Sequence, residues 1–95
     1  GRPGKIFNAD IDTTHFSGNQ PMQASLEACR SKKNPNNKSR WITILSKKKL
    51  GPNKNHNFKI KNKSIFTHIK LNIYPDGGVA RLRVYGEVEM KKVNF

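Results

Sequence analysis

The fold is decided by residues 68–86, which read HIKLNIYPDGGVARLRVYG. Apolar and polar side chains alternate on both sides of the central Pro75-Asp-Gly-Gly78 run, and this alternation is typical of half-buried β-strands. Proline presets one φ angle and the two glycines tolerate positive φ, so the central run predicts a turn. Residues 68–74 and 80–85 are therefore predicted to form two strands joined by that turn.

Two arrangements of these strands fit the pattern. If they pair as an antiparallel hairpin with Tyr74 opposite Val79, one face of the hairpin is wholly apolar and the other wholly polar. In a jelly roll the strands instead lie in opposite sheets, which breaks the cross-strand pairs but keeps the inward or outward direction of each residue. In both cases the outward residues are His68, Lys70, Asn72, Arg81 and Arg83.

The basic residues of this polar face need a negative partner. Like charges directly opposite each other destabilise a sheet, and the hairpin would place Lys70 opposite Arg83. The anion comes either from a carboxylate on another strand or from the carboxylate of a bound small molecule, which an arginine grips through two parallel hydrogen bonds. The simpler interpretation is a solvated outer face with loose counterions. The carboxylates available on other predicted strands are Asp10, Asp12 and Glu27.

Alternation of the same kind recurs earlier in the chain. Apolar residues at Phe7, Ala9 and Ile11 alternate with polar ones, and residues 24–29 repeat the pattern. Residues 41–45 and 58–60 are shorter candidates. A helix over residues 22–29 fits the alanine and leucine spacing less well than a strand does. The predicted class is all-β, with short strands separated by turns that indicate a β-sandwich or jelly roll.

Length and composition restrict the class of protein further. The 95 residues form one domain at most, 1–95, and carry 19 Lys+Arg against 6 Asp+Glu for a net charge of +13. Cys29 is the only cysteine, which excludes an intramolecular disulfide and favours a reducing compartment. The sequence shows neither a membrane-spanning apolar stretch nor a secretory signal. We therefore expect an intracellular, cytoplasmic protein with no membrane association.

The positive charge is concentrated in the middle of the chain. Residues 30–63 contain twelve basic residues and no acidic one. Within them, residues 31–39 and 51–57 are rich in Lys, Asn, Pro and Gly and predict solvated loops. A basic groove with stacking aromatics, here Trp41 and Phe58, is the alternative, and it would bind a nucleic acid backbone. The absence of a known nucleic-acid-binding motif favours the loops.

Candidate chemistry also appears near the start of the chain. Asp10 and Asp12 lie on one side of a predicted strand, and His15 follows just after its end. Such a set supplies a general base, a general acid or metal ligands. No recognised metal-ligand spacing is present, and a single histidine at a strand end is more often a turn or packing residue. The sequence indicates neither a metal nor a cofactor.

Three blocks of sequence resemble the allantoicase family. They are DIDTTHFSGNQP at residues 10–21, SLEA at residues 25–28 and FTHIKLNIYPDGGVARLRVYG at residues 66–86, and the last is long and distinctive. Weaker landmarks follow the same order around residues 41–45, 50–52 and 56–58. The resemblance covers residues 5–88 and corresponds to the later part of one repeat of the family.

This resemblance implies a partial galactose-binding-like jelly roll and a role in purine degradation, the hydrolysis of allantoate to ureidoglycolate and urea. It implies that Arg81 or Arg83 holds the substrate carboxylate, while His68 and Asn72 hydrogen-bond its ureido groups and Lys70 shares their face. The base for water and the acid for departing urea would come from Asp12, His15 and Glu27.

The resemblance leaves two other functional classes open. The Lys/Asn-rich loops are longer and more basic than the connections of the family, so a non-catalytic module that binds nucleic acid or an acidic protein partner is the alternative. A plain ligand-binding β-sandwich follows from fold analogy alone. The preceding strands and the second repeat of the family have no counterpart here, so the isolated chain is expected to be inactive. Because a partial sandwich exposes sheet edges and apolar faces, the chain is also expected to self-associate.

Overall fold

The computed structural model describes residues 3–18, 20–75, 77–79, 81–86 and 91–93. These residues contain β-strands and no helix, which confirms the predicted all-β class. The strands are β1 (Gly4–Asp12), β2 (Gln23–Cys29), β3 (Ile42–Lys49), β4 (Asn55–Lys59), β5 (Ile65–Phe66), β6 (His68–Tyr74), β7 (Arg81–Gly86) and β8 (Lys91–Val93).

The strands form two sheets. In the first, the β1 sheet, β1 pairs antiparallel with β4, with β7 and, through its first two residues, with β5. The second, the β2 sheet, has the order β3-β2-β6-β8, in which β8 is parallel to β6 and the other pairs are antiparallel. Buried residues from both sheets form one core cluster, including Ile6, Ile11, Leu26 and Ile69. The architecture is therefore the predicted β-sandwich.

The hairpin of β6 with β7 is wrong, and the opposite-sheet arrangement is confirmed. β6 pairs with β2, so that Ile69 lies opposite Ala28, whereas β7 pairs with β1, so that Leu82 lies opposite Ile11. The connection crosses from one sheet to the other through the cis Tyr74–Pro75 peptide and Gly77, which has a φ of +135°. Each strand then buries its apolar side against the opposite sheet. Asp76 and Ala80, the other residues of the predicted turn and strand start, lie outside the described residues.

β1 departs from the predicted alternation at Phe7. The register of β1 against β7 shifts between Ile6 and Asn8, which is a β-bulge. The bulge buries Ile6 completely and leaves Phe7 39% exposed, with the Lys63 ammonium 5.1 Å from the centroid of its ring. Phe7 is therefore not a core residue.

The two segments predicted as loops differ in the structure. Residues 31–39 contain no strand, whereas residues 55–57 belong to β4 and pair with β1. The polar composition concealed this strand because its outward positions, Asn55 and Asn57, carry no apolar signal. Its inward positions, His56 and Phe58, are half-buried.

The choice of a strand over a helix for residues 22–29 is confirmed by β2. Ala24, Leu26 and Ala28 are fully buried and face the core, as alternation requires. Cys29 at the end of the strand is buried, and burial raises the pKa of its thiol above the usual 9.0 while nearby Lys70 opposes that shift.

The close approach of β7 to β1 at Gly86 can be tested by a substitution that changes stability. It pairs with Ile6, and a β-carbon at this position would overlap the backbone carbonyl oxygen of Lys5. We expect Gly86→Ala to lower the free energy of unfolding by about 1–3 kcal/mol, because backbone must move to make room. Gly51→Ala is the matched control, since there the new methyl meets only the flexible end of the Lys54 side chain. Equal denaturation midpoints for both variants would contradict the close approach.

Candidate functional site

β1, β4 and β7 present charged and amide side chains on the outer surface of their sheet. Ala9, Ile11 and Leu82 are buried in the core, so the residues that alternate with them point outward. We call this surface the Asp–Arg face. Its members are Asp10, Asp12, Asn55, Asn57, Arg81, Arg83 and Tyr85.

The strand register places opposite charges beside each other on this face. Asp10 lies opposite Arg83, and Asp12 lies opposite Arg81. On its other side β1 pairs with β4, which places an asparagine beside each aspartate. The groups surround a small surface cavity of about 80 Å³. Its lining consists of Asp10, Asp12, Asn55, Arg81 and Arg83.

Asp10 is buried and held as a carboxylate. Its Oδ1 accepts a hydrogen bond from the side-chain amide of Asn57, and its Oδ2 accepts one from the Tyr85 hydroxyl at 2.9 Å. The Asn57 bond is the main cause that lowers the pKa of Asp10 below 3.8; burial opposes it, and Tyr85, Asn55 and Arg83 reinforce it. Asp10 is therefore ionised at neutral pH.

Asp12 is held by the turn that follows β1. Its Oδ1 accepts hydrogen bonds from the hydroxyl and, at 2.9 Å, the backbone amide of Thr14, while its Oδ2 lies 3.8 Å from the Arg81 guanidinium. The two Thr14 bonds are the main causes that lower the pKa of Asp12; burial opposes them, and Arg81 and Arg83 add smaller lowering effects. One carboxylate oxygen is thus occupied by the turn and the other faces the arginines.

The negative charges beside the two arginines therefore come from aspartates on the neighbouring strand, β1. Asp10 and Asp12 were two of the carboxylates that the sequence offered for this role, and the register pairs each with one arginine. This pairing removes the like-charge repulsion from which a bound carboxylate was inferred.

His15 lies in the same turn as the end of β1. Its φ is +72°, and its backbone amide donates a hydrogen bond to Oδ1 of Asn53, which also has a positive φ of +50°. Thr13 is fully buried beside it, and its hydroxyl donates to the carbonyl of Gly51 at 2.7 Å. The turn is thereby fixed to the β3–β4 connection, and the exposed His15 imidazole projects from a supported backbone.

The outer surface of the β2 sheet carries a second polar group. Asn72 donates a hydrogen bond of 2.6 Å to Glu27 Oε1, and the Lys70 ammonium lies 3.5 Å from the same oxygen. The Lys70 ammonium also lies 4.6 Å from the Trp41 ring centroid, and Ser25 shares a 3.0 Å hydrogen bond with the Tyr74 hydroxyl. These side chains therefore pair with one another through hydrogen bonds, an ion pair and a cation–π contact.

The single polar face predicted from the hairpin is therefore wrong. Arg81 and Arg83 lie on the outside of the β1 sheet, whereas Lys70 and Asn72 lie on the outside of the β2 sheet. Packed sheets are separated by ~10 Å, and the side chains point in opposite directions from them. A small molecule cannot contact both sets within this chain, and the catalytic candidates divide in the same way. Asp12 ends β1 of the first sheet and His15 lies in the turn that follows it, whereas Glu27 belongs to β2 of the second sheet.

His68 is separated from these groups by its burial. It is 4% exposed, and its Nδ1 lies 2.8 Å from the hydroxyl of Thr67. Both residues line a larger cavity of about 640 Å³ at another part of the surface. The remaining lining residues come from the basic region and the start of the chain: Pro3, Arg30, Ser31, Lys32, Lys33 and Asn34.

Lysine ammonium groups lie over the faces of two aromatic rings near the basic region. The Lys70 ammonium lies over Trp41, and the Lys47 ammonium lies 4.1 Å from the ring centroid of Tyr74. The indole NH of Trp41 also donates to the carbonyl of Asn36 at 2.9 Å. These rings are engaged within the chain, and the lysine-covered faces are not open platforms for stacking bases.

The described residues contain no group of three or more His, Cys, Asp or Glu side chains arranged to hold a metal ion. Nor does any helix in the described part of the chain have the length and apolar character needed to cross a membrane.

Sequence reasoning missed three members of the Asp–Arg face. Asn55 and Asn57 stood in a segment assigned to a loop, and Tyr85, the next outward position after Arg83, was not among the candidate site residues. The alternation of Asn55, Asn57 and Lys59 with His56 and Phe58 was the signal that would have revealed β4.

The fold and this surface define the class: a partial β-sandwich with a small charged cavity on the outside of one sheet. Residues 1–89 match the family model described as the allantoicase repeat, and the chain belongs to that family.

Relatives support the match. The chain is 54% identical over 91 residues to a probable allantoicase of Acinetobacter baumannii strain SDF, covering 96% of this chain and 27% of that protein. It is 47% identical over 83 residues to a probable allantoicase of Rhizobium meliloti, covering 87% and 24%. The chain thus spans about a quarter of the length of these relatives.

Solved structures agree with the fold. A structure of allantoicase superposes with a TM-score of 0.70 at 37% identity, covering 90% of this chain and 25% of that one. The crystal structure of allantoicase from Saccharomyces cerevisiae gives a TM-score of 0.69 at 35% identity, covering 90% and 24%.

The Asp10 environment predicts a pH dependence of stability. Because the pKa of Asp10 is lowered below 3.8 in the folded chain, its contribution is fully present above that pH and is lost as the pH falls through the folded value. We expect Asp10→Asn to lower the free energy of unfolding by about 1–2 kcal/mol at neutral pH. The difference from the unmodified chain should shrink at lower pH.

Guanidinium denaturation at several pH values measures this difference. A gap between the two proteins that stays constant from neutral pH down to acid would contradict an ionised, hydrogen-bonded Asp10.

Proposed function

We propose that this chain is one part of an allantoicase and that the longer protein hydrolyses allantoate to ureidoglycolate and urea. The observation that carries the proposal is the match of residues 1–89 to the allantoicase repeat. The names of the relatives and of the solved structures support it. The Asp–Arg face supplies a place for a polar substrate, because it surrounds a cavity with both hydrogen-bond donors and acceptors.

The reaction breaks the bond between the central carbon of allantoate and one ureido nitrogen. Water supplies a hydroxyl group to that carbon and a proton to the departing urea, so one group must accept a proton and another must donate one. Asp12 is ionised and serves as an acceptor, for a water proton or a substrate N–H. His15 follows it in the same turn and is the imidazole nearest to it in sequence, so we assign it the proton-donating role.

The residues on the β2 sheet do not enter this site. Glu27, Lys70 and Asn72 form their own cluster on the opposite outer surface. Since the chain covers about a quarter of its relatives, we propose that segments of the longer protein complete the site. The isolated 95-residue chain should then release no urea from allantoate.

A substitution of Arg83 tests whether the Asp–Arg face takes part in this activity. We expect Arg83→Gln in the longer protein to lower kcat/KM for allantoate by about 10- to 100-fold, because a charge-assisted hydrogen bond contributes ~1.5–3 kcal/mol. Arg40→Gln is the matched control, since it removes the same charge from an exposed loop position. The measurement is urea release from allantoate.

Two results would count against the proposal. A longer protein that is folded but releases no urea from allantoate contradicts the activity. Normal turnover in Arg83→Gln contradicts the assignment of this face to the site.

One observation favours a second function, the binding of a nucleic acid by a non-catalytic module. The cavity of about 640 Å³ is lined by Arg30, Lys32 and Lys33 and by no carboxylate among the described residues. The aromatic contacts described above do not support base stacking, so such binding would be electrostatic. It would weaken steeply with added salt and would not depend on sequence.

A salt titration of binding to a single-stranded and a double-stranded oligonucleotide separates the two functions. Tight, steeply salt-dependent binding together with no urea release by the longer protein would replace the first proposal by the second.

A further inference from the structure

We infer that the cavity of the Asp–Arg face binds a ureido group, a carbonyl flanked by two nitrogens that both carry hydrogen, and not a carboxylate. This inference rests on the proposed function, because allantoate carries two ureido groups and one carboxylate. It differs from the expectation that Arg81 or Arg83 grips the carboxylate.

The charge balance of the cavity favours a neutral guest. Its two arginines and two aspartates cancel, and each pair is adjacent across the strands. A carboxylate that approached Arg81 or Arg83 would also approach Asp12 or Asp10, and the pKa values of both aspartates are lowered, so they stay negative at neutral pH. The repulsion would offset much of the attraction.

The acceptors of the cavity match the N–H groups of a ureido group. Asp12 Oδ1 is occupied by two hydrogen bonds from Thr14, but Oδ2 lies 3.8 Å from Arg81, which is too far for a hydrogen bond. Asp10 accepts hydrogen bonds from Asn57 on Oδ1 and Tyr85 on Oδ2, Asn55 adds a third hydrogen-bonding neighbour, and an ionised carboxylate has about four acceptor sites in all. Acceptor capacity therefore remains on both carboxylates.

The donors match the carbonyl oxygen of the same group. Within the described residues, the Arg83 guanidinium makes no hydrogen bond, and Arg81 makes only its loose ion pair with Asp12. A guanidinium has five N–H donors and no acceptor. A ureido carbonyl can therefore accept from an arginine while its N–H groups donate to the aspartates, whereas a carboxylate has nothing to donate.

The size of the cavity agrees with this assignment. About 80 Å³ is several times the ~10–15 Å³ that a single water molecule requires, so it admits a group of a few non-hydrogen atoms. A ureido group, with one carbon, one oxygen and two nitrogens, is of that size.

Two probes that differ at one position distinguish the two guests. N-carbamoylglycine and N-acetylglycine share a glycine carboxylate, but the first ends in an amino group where the second has a methyl. Each is titrated into the ¹⁵N-labelled 95-residue chain, and the side-chain signals of Asn55, Asn57, Arg81 and Arg83 are followed by NMR.

We expect N-carbamoylglycine to shift these signals in a saturable way and N-acetylglycine to bind about 10-fold or more weakly, because its methyl leaves an aspartate oxygen without a donor. Equal shifts with both probes would overturn the inference, since they would show that the terminal amino group of the ureido group is not recognised. Shifts with neither probe would overturn it as well. Neither result bears on urea release by the longer protein, which tests the proposed function separately.

Asp12→Asn is expected to change probe binding in opposite directions for the two guests. If the ureido group is bound, the loss of the anionic acceptor weakens N-carbamoylglycine binding by about 10- to 100-fold. If a carboxylate is bound, removal of a neighbouring negative charge strengthens binding of both probes and overturns the inference. Arg83→Gln should also weaken binding of N-carbamoylglycine, while Arg40→Gln should leave it unchanged. The backbone spectrum of each variant reports whether the chain is folded.

Discussion

The register of the antiparallel pairing of β1 with β7 fixes both a core contact and a pair of opposite charges. On the inner side it places Ile11 opposite Leu82 in the core, and on the outer side it places Asp10 opposite Arg83. Because side chains alternate along a strand, neither result can change without the other. A slip of one residue would bury the charges and expose the aliphatic side chains. The hydrophobic core therefore fixes the geometry of the charged surface, and the cavity between the carboxylates and guanidinium groups follows from it.

The alternation of residues 68–86 was sufficient to predict two strands and their apolar sides, but not the partner of either strand. It also placed His68 on the outward side, where the structure buries it. A period of two specifies which residues are buried, and it is the same whether β6 pairs with β7 or with β2. The partner is decided by contacts between residues far apart in sequence. For Leu82 the partner is Ile11, and for Leu71 it is Leu26. The sandwich was predicted because several short strands were found, and the resemblance to a known repeat agreed with it.

The candidate site was predictable in its charged members and not in its neutral ones. Asp12, Arg81 and Arg83 were singled out from their charge and strand position, and the structure brings them together. Asn57 was not, because amide side chains in a lysine- and asparagine-rich segment look like a solvated loop. The grouping of Arg83 with Lys70 failed for the same reason as the hairpin, since it assumed a local pairing.

The placement of β6 and β7 in different sheets is tested most directly by backbone nuclear Overhauser effects in the 95-residue chain. The structure predicts cross-strand backbone effects between Ile11 and Leu82 and between Leu26 and Leu71. It predicts none between the backbones of Leu71 and Leu82, because facing sheets are ~10 Å apart. Strong backbone effects between Leu71 and Leu82, with none between Ile11 and Leu82, would establish the hairpin instead and would separate the arginines from the aspartates.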